Sequence, residues 1–162
     1  MRTGLALAAF ALGLASGVNG QPVGDDILKP TSIRFAEAGR AALARGDANA
    51  AIDSFEAALA SDPKNVGAFT GIAQSYDKLG LPGKAVKYYR EALALNPSDL
   101  GALEGQGKAF VERGATARAQ VNLARIKALC KADCSAATRL EAALNAPVVA
   151  TAEIAKPEAA KN

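Results

Sequence analysis

The chain has 162 residues, of which 19 are Lys or Arg and 16 are Asp or Glu, so its formal net charge is only +3. It contains no histidine, the commonest general base, and its charges are interspersed instead of forming the basic stripe of a nucleic-acid-binding surface. Half of the residues are hydrophobic, and no stretch alternates with the period of a strand. These features predict an all-α protein that is not an enzyme and that binds no nucleic acid, cofactor or metal.

Residues 1–20 have the pattern of a secretory signal peptide. Arg2 supplies its positive start, and the apolar run that follows is shorter than the roughly 20 residues that cross a bilayer. We expect cleavage before Gln21, with cleavage after Gly17 as the alternative; an uncleaved signal would be the chain's one membrane contact. Residues 21–31, with two prolines and a glycine, form a predicted linker. The sequence therefore predicts a soluble periplasmic protein.

A 34-residue period runs from residue 32 to residue 133. Inside each period, apolar residues follow the i, i+3, i+4, i+7 spacing of amphipathic helices, and a glycine near the middle separates two helices. Such helix pairs cannot bury their apolar faces alone and must stack on one another. We therefore place three helix-turn-helix repeats at 32–65, 66–99 and 100–133. Their matching positions include the small residues Gly39, Ala73 and Gly107, the glycines Gly46, Gly80 and Gly114, and the large residues Phe55, Tyr89 and Leu123.

The turns inside the repeats carry helix-ending and helix-starting signals. The three turn glycines are predicted to adopt the left-handed conformation that ends a helix. Asp47 and Thr116 are predicted to cap the second helices of repeats one and three, and Pro82 to occupy the first turn of the helix between them. Along the second helices, Phe55 and Tyr89 are predicted to fill the gaps beside the alanines one turn earlier.

This pattern resembles the tetratricopeptide repeat, whose unit is also a helix-turn-helix of about 34 residues. The resemblance implies a right-handed helical solenoid over residues 32–145, in which a terminal solvating helix at 135–145 covers the third repeat. Arg139 is expected on the solvated face of that helix. The remaining residues, rich in Ala, Pro, Lys and Glu, predict a disordered tail at 146–162.

Two cysteines follow the last repeat, with three residues between Cys130 and Cys134. In an exported chain this spacing predicts a disulfide at a helix-to-helix corner. The pair coincides with Lys131, which stands where the family favours proline, so the bridge would set the turn in its place. Two free buried cysteines are the alternative. A metal site would need more ligands than two cysteines can offer without histidine.

The resemblance also implies a partner-binding surface. In this family a concave face, lined by the first helix of each pair, holds a peptide or a partner's helix. The basic arrangement with which chaperone-binding members grip a C-terminal carboxylate is not reproduced, because Ala36 and Arg40 stand where lysine and asparagine would be needed. For Lys108 an alternative remains, a surface ion network with Glu104 and Glu112 one turn away on either side. Matching the inward-facing positions gives six candidate groove residues: Arg40, Thr70, Gln74, Asp77, Glu104 and Lys108.

Together these features predict a periplasmic adaptor whose groove holds a protein or peptide partner. A signal peptide, few repeats and a cysteine pair after the last one resemble the repeat proteins associated with Tad-type (Flp) pilus biogenesis, which implies a role in envelope or pilus assembly. The alternative is a structural module without a peptide ligand, in which exposed solenoid edges stack on another copy to form a homo-oligomer.

The signal pattern leads to a prediction about export. Expressed in a Gram-negative host, the protein should be recovered in the periplasmic fraction with a new N-terminus at Gln21 or Val18, because the positive start and short apolar run direct export and cleavage. Mass spectrometry of the purified protein reads the terminus directly. Recovery of the full-length chain in the inner-membrane fraction would show an anchored protein instead.

Overall fold

The computed structural model describes residues 27–131 and 133–146, and in this part of the chain it contains helices and no strand. The predicted all-α fold is confirmed. The predicted signal peptide, most of the predicted linker and the tail from residue 147 lie outside the described residues. None of the described helices has both the length and the hydropathy needed to cross a membrane. In chain order they are α1 (Pro30–Ala44), α2 (Ala48–Ser61), α3 (Val66–Lys78), α4 (Pro82–Leu95), α5 (Leu100–Glu112), α6 (Thr116–Leu129) and α7 (Ser135–Asn145).

Most of the predicted turn signals form as expected. The turn glycines that end α1, α3 and α5 have φ of 83°, 68° and 71°, the left-handed values that only glycine adopts without strain. Asp47 accepts a hydrogen bond from the backbone N–H of Ala50, and Pro82 begins α4. The predicted cap at Thr116 is wrong, because Thr116 is already the first residue of α6. Ala115 occupies the N-cap position, and no side chain accepts a hydrogen bond from the free N–H groups of the first turn.

Helix α1 is held to the end of the first repeat by hydrogen bonds between polar groups. It begins at Pro30, two residues before the predicted domain start. The hydroxyl of Ser32 donates to the carbonyl of Ala58 at 2.8 Å and accepts from the side-chain amide of Asn65 at 2.8 Å. Before the helix, the N–H of Lys29 donates to a carboxylate oxygen of Asp62 at 3.0 Å. These bonds satisfy groups that would be costly to bury alone.

The helices pack in two layers. Each helix packs against the next along the chain, and α1, α3, α5 and α7 also pack against one another in that order. Among the described helices, α2, α4 and α6 make no such contacts with one another, so the stack curves toward the layer of first helices. That inner layer therefore forms the concave face. The C-terminal helix α7 spans the residues predicted for the terminal helix and takes the fourth place in the inner layer.

Aromatic rings of the second helices fill space that glycines open on the first helices. A Cβ atom added to Gly71 would lie 2.3 Å from the ring of Phe55, and one added to Gly39 would lie 2.8 Å from the same ring. A Cβ added to Gly105 would lie 2.2 Å from Tyr89. A large-into-small fit is therefore present between these rings and glycines of neighbouring helices, which the sequence analysis did not pair with them. The resulting close approach offsets the low helix propensity of glycine.

The last helix is held by one large side chain and one covalent bond. Leu140 is fully buried, and its side chain occupies the space beside Gly107 of α5, where an added Cβ would lie 2.6 Å away. A disulfide joins Cys130, which ends α6, to Cys134, which precedes α7, with the two Cα atoms 5.3 Å apart. The chain therefore turns sharply into α7 at the position where proline is missing.

The glycine contacts lead to a stability prediction. Gly71→Ala should lower the free energy of unfolding by about 2 kcal/mol, because overpacking against the buried ring of Phe55 outweighs the gain of about 1 kcal/mol in helix propensity. Urea unfolding followed by circular dichroism measures the change. Gly83→Ala is the matched control: its Cβ would meet nothing closer than 4.0 Å, so the variant should be neutral or slightly stabilised. Equal stability of both variants would contradict the interlocking role of Gly71.

Candidate functional site

The concave face contains a groove of about 630 Å³ between the helices of the inner layer. Four of the six predicted groove residues line it: Gln74 and Asp77 on α3, and Glu104 and Lys108 on α5. The other two do not. Arg40 lies exposed on α1, and Thr70 is half-buried on α3 with a hydroxyl that lacks a hydrogen-bond partner.

Residues beyond the six predicted ones complete the groove. Lys78 and Glu112 extend its rim, Tyr89 of α4 reaches it from the outer layer, and Arg139 of α7 closes one end. The backbone at Gly101 and Gly105 also lines it. Every charged residue of the groove comes from an inner helix, so the curvature of the stack brings these side chains together.

A buried carboxylate on α5 binds two cations. Glu104 is only 8% exposed, and it accepts bonds from Nε and Nη2 of Arg139 at 2.8 and 2.6 Å and from Nζ of Lys108 at 2.6 Å. Burial is the largest single influence and raises the pKa of Glu104, but the bonds and charges of the two cations lower that pKa below its usual value overall. The carboxylate is therefore ionised and satisfied within the protein.

The ion network predicted around Lys108 forms on one side only. Lys108 pairs with Glu104, whereas Glu112 has no ion-pair partner in the described part of the chain. The solvated position expected for Arg139 is wrong, because its guanidinium reaches across to α5. One signal for this contact is present in the sequence. Arg139 lies one 34-residue step after Gly105, which lines the groove, so continuing the period gives Arg139 the equivalent position on the terminal helix.

A second carboxylate in the groove is in a different environment. The hydroxyl of Tyr89, a residue only 2% exposed, donates to Oδ2 of Asp77 at 2.8 Å. The other oxygen, Oδ1, is buried and has no hydrogen-bond partner. Burial, and to a smaller extent the charge of Glu112, raises the pKa of Asp77 to about 6, although the bond from Tyr89 and the charge of Lys108 oppose the rise. Burial also raises the pKa of Tyr89, so its phenol remains a donor.

The groove therefore offers charge and hydrogen bonding along a concave surface. One end carries a satisfied carboxylate with two cations, and the other carries an unsatisfied one. In the described residues there is no group of three His, Cys, Asp or Glu side chains that could hold a metal ion. Such an arrangement is suited to binding a polar or charged segment of another molecule.

Comparison with known proteins identifies the repeat. A family profile described as Tetratricopeptide repeat matches residues 37–99 and 70–125, which together span more than half of the chain. No curated protein matches the chain significantly in sequence.

Several solved structures share the fold. The first tetratricopeptide domain of Spaghetti (RPAP3) bound to an HSP90 peptide has a TM-score of 0.67 at 23% identity, over 72% of this chain and 95% of that one. The second such domain of human RPAP3, in complex with an HSP70 peptide, has a TM-score of 0.64 at 22% identity, over 70% of this chain and 94% of that one. The tetratricopeptide domain of Sgt2 from Aspergillus fumigatus has a TM-score of 0.64 at 24% identity, over 71% of this chain and 78% of that one. At these identities the likeness concerns the fold.

The environment of Asp77 leads to a pH-dependent stability prediction. Its pKa is higher in the folded protein than in the unfolded chain, so its ionisation disfavours the fold above pH 6 and has no effect below about pH 3.8. Asp77→Asn keeps an acceptor for Tyr89 without the charge. We expect it to raise the free energy of unfolding by about 1 kcal/mol at pH 7.5, a figure reduced for partial solvent screening.

Urea unfolding at pH 7.5 and pH 4.5 tests this dependence on pH. The difference between Asp77→Asn and the unmodified protein should shrink at the lower pH, where Asp77 is mostly protonated in the folded state. Asp53→Asn on the exposed face of α2 is the control, and it should show little difference at either pH. A stability loss in Asp77→Asn at pH 7.5 would contradict the assignment of an unfavourable charge.

Proposed function

Because this chain belongs to the tetratricopeptide repeat family, we propose that it is a protein-interaction module that holds a peptide or a partner's helix in its concave groove. The observation that carries the proposal is the groove itself, whose charged side chains come from inner helices and include carboxylate oxygens and cations facing one surface. Folds of this family are typically interaction scaffolds without catalytic activity.

Two solved relatives support this use of the concave fold. The Spaghetti and human RPAP3 domains were determined with bound chaperone peptides, and they share the fold of this chain over most of their own length. The ligands of those domains are not assumed for this chain, since Ala36 and Arg40 occupy positions where chaperone-binding members need lysine and asparagine. Three repeats form a short groove, so affinity in the micromolar range or weaker is expected.

We propose further that the module works as a soluble adaptor in the periplasm. The signal-like pattern of residues 1–20 and the cysteine pair after the last repeat support export to an oxidising compartment. The resemblance to repeat proteins of Tad-type (Flp) pilus biogenesis supports a partner in envelope or pilus assembly.

Self-association is the second candidate, and one observation favours it. On α1, the first helix of the described stack, Ile33 and Phe35 are 39% and 40% exposed, which gives apolar surface on which another copy could stack. Sedimentation velocity over a range of concentrations separates the two functions. A mass that rises with concentration supports the stacking module, whereas a constant monomer mass supports the adaptor.

Blocking the groove tests the adaptor function. Gln74→Trp places a bulky ring on the exposed inner face of α3, and it should weaken partner capture at least tenfold without loss of helicity. Gln120→Trp is the matched control, because Gln120 is also exposed but lies on α6 and does not line the groove. Partners are first identified by capture from an envelope extract, and their dissociation constants are then measured for both variants. Equal binding by the two variants would place the contact outside the groove.

A further inference from the structure

We propose that the groove recognises a basic side chain of its partner, a lysine or an arginine, through the carboxylates of Asp77 and Glu112. This inference rests on the proposed function, because it specifies the chemistry of the segment that the same groove holds. Three observations carry it. Charges in the groove are paired unevenly, one oxygen of Asp77 has no hydrogen-bond partner, and the fold does not need the charge of Asp77.

The pairing of charges leaves two of the three groove carboxylates free and two of its three cations engaged. Lys108 and Arg139 both bind Glu104 within 2.8 Å. Neither Asp77 nor Glu112 has an ion pair with any residue that the structure describes. The rim residue Lys78 is adjacent to Asp77 in sequence, and neighbouring residues of a helix do not face each other. Among the groove charges without an ion pair in the described residues, Asp77 and Glu112 are negative and Lys78 is positive, so their sum is negative.

The hydrogen bonding of Asp77 is incomplete in the free protein. Oδ2 accepts the hydroxyl of Tyr89, whereas Oδ1 is buried without a donor, a costly state for a carboxylate oxygen. An ammonium or guanidinium group of a partner supplies both the donor and the positive charge. Oδ1 is buried although Asp77 as a whole is half-buried, so the partner's cation reaches this oxygen after a rotamer change of Asp77 or of a side chain beside it.

The charge of Asp77 is not needed by the fold. An asparagine at position 77 would keep the bond with Tyr89 and avoid the burial of a charge, so the carboxylate lowers stability as the free protein stands. A destabilising charge that lines a binding groove is typical of residues kept for recognition. Leu43 of α1 lines the same groove and provides an apolar wall for the methylene stem of a lysine or arginine.

The charged groups near Asp77 come from α3, α5 and α7, and Lys78 is the one cation among them without an ion pair in the described residues. From α1 the groove receives the uncharged Leu43, and α2 contributes no lining residue. Tyr89 of α4 binds Asp77 directly. The charged residues that share the groove with it are Glu104, Lys108 and Glu112 of α5, Arg139 of α7 and Lys78 of α3 itself. Of these cations, the two from α5 and α7 are already bound to Glu104.

Three synthetic decapeptides test the proposal. They share one neutral sequence and differ only in two central residues, which are lysine, glutamine or glutamate. Titration into isotopically labelled protein, followed by NMR chemical shifts, should give at least tenfold tighter binding of the lysine peptide than of the glutamine peptide, with the largest shifts at Asp77, Glu112 and Gln74. Binding of the lysine peptide should weaken about tenfold between pH 7.5 and pH 5, because only about one tenth of Asp77 remains ionised at pH 5.

Variants separate this inference from the proposed function. Asp77→Asn should lose the preference for lysine and the pH dependence, whereas the exposed control Asp53→Asn should retain both. Tighter binding of the glutamate peptide, unchanged binding by Asp77→Asn, or no binding of the lysine peptide at millimolar concentration would overturn the inference. A captured partner that is lost with Gln74→Trp but not with Asp77→Asn would overturn it while leaving the proposed function intact.

Discussion

The structure depends on the contact between aromatic rings of the outer helices and glycine backbones of the inner ones. Phe55 lies against Gly39 and Gly71, and Tyr89 lies against Gly105, each within a distance that no Cβ atom would permit. Because the ring sets how closely two helix pairs approach, it also sets the curvature of the inner layer and the width of the groove. Tyr89 joins the two roles directly: its ring fills the space beside α5, and its hydroxyl binds Asp77 in the groove.

Helix α7 has two roles, because it covers the third repeat and also contributes a side chain to the groove. A terminal helix must cover the stacking surface of the last repeat, and Leu140 does so beside Gly107. The same helix takes the fourth position of the inner layer. Arg139, the residue before Leu140, therefore faces the groove and binds Glu104. The disulfide between Cys130 and Cys134 sets where this helix begins. A helix expected only to solvate the stack therefore supplies one wall of its binding surface.

The sequence predicted the repeat more accurately than the contacts of individual side chains. The 34-residue period gave the helix pairs and the turn glycines, because each signal recurs and is local. Four groove residues also followed from the period, since it assigns side chains to a face of a helix. It does not give the depth of a side chain or its partner on another helix, so the bond from Tyr89 to Asp77 and the bonds from Arg139 to Glu104 were not foreseen. Arg139 was missed because the period was not continued into the terminal helix, and the cap at Thr116 was misplaced by one residue.

The carboxylates of Glu104 and Asp77 in the groove separate a structural charge from a recognition charge. Glu104 lies beneath two cations, and these bonds lower its pKa despite burial, so removing a partner would leave a costly charge within the fold. Asp77 receives one neutral hydrogen bond, and burial raises its pKa to about 6. The protein thus compensates the first charge completely and the second only in part. Since both face the same concave surface, the missing compensation for Asp77 is what a basic group of the partner would bring.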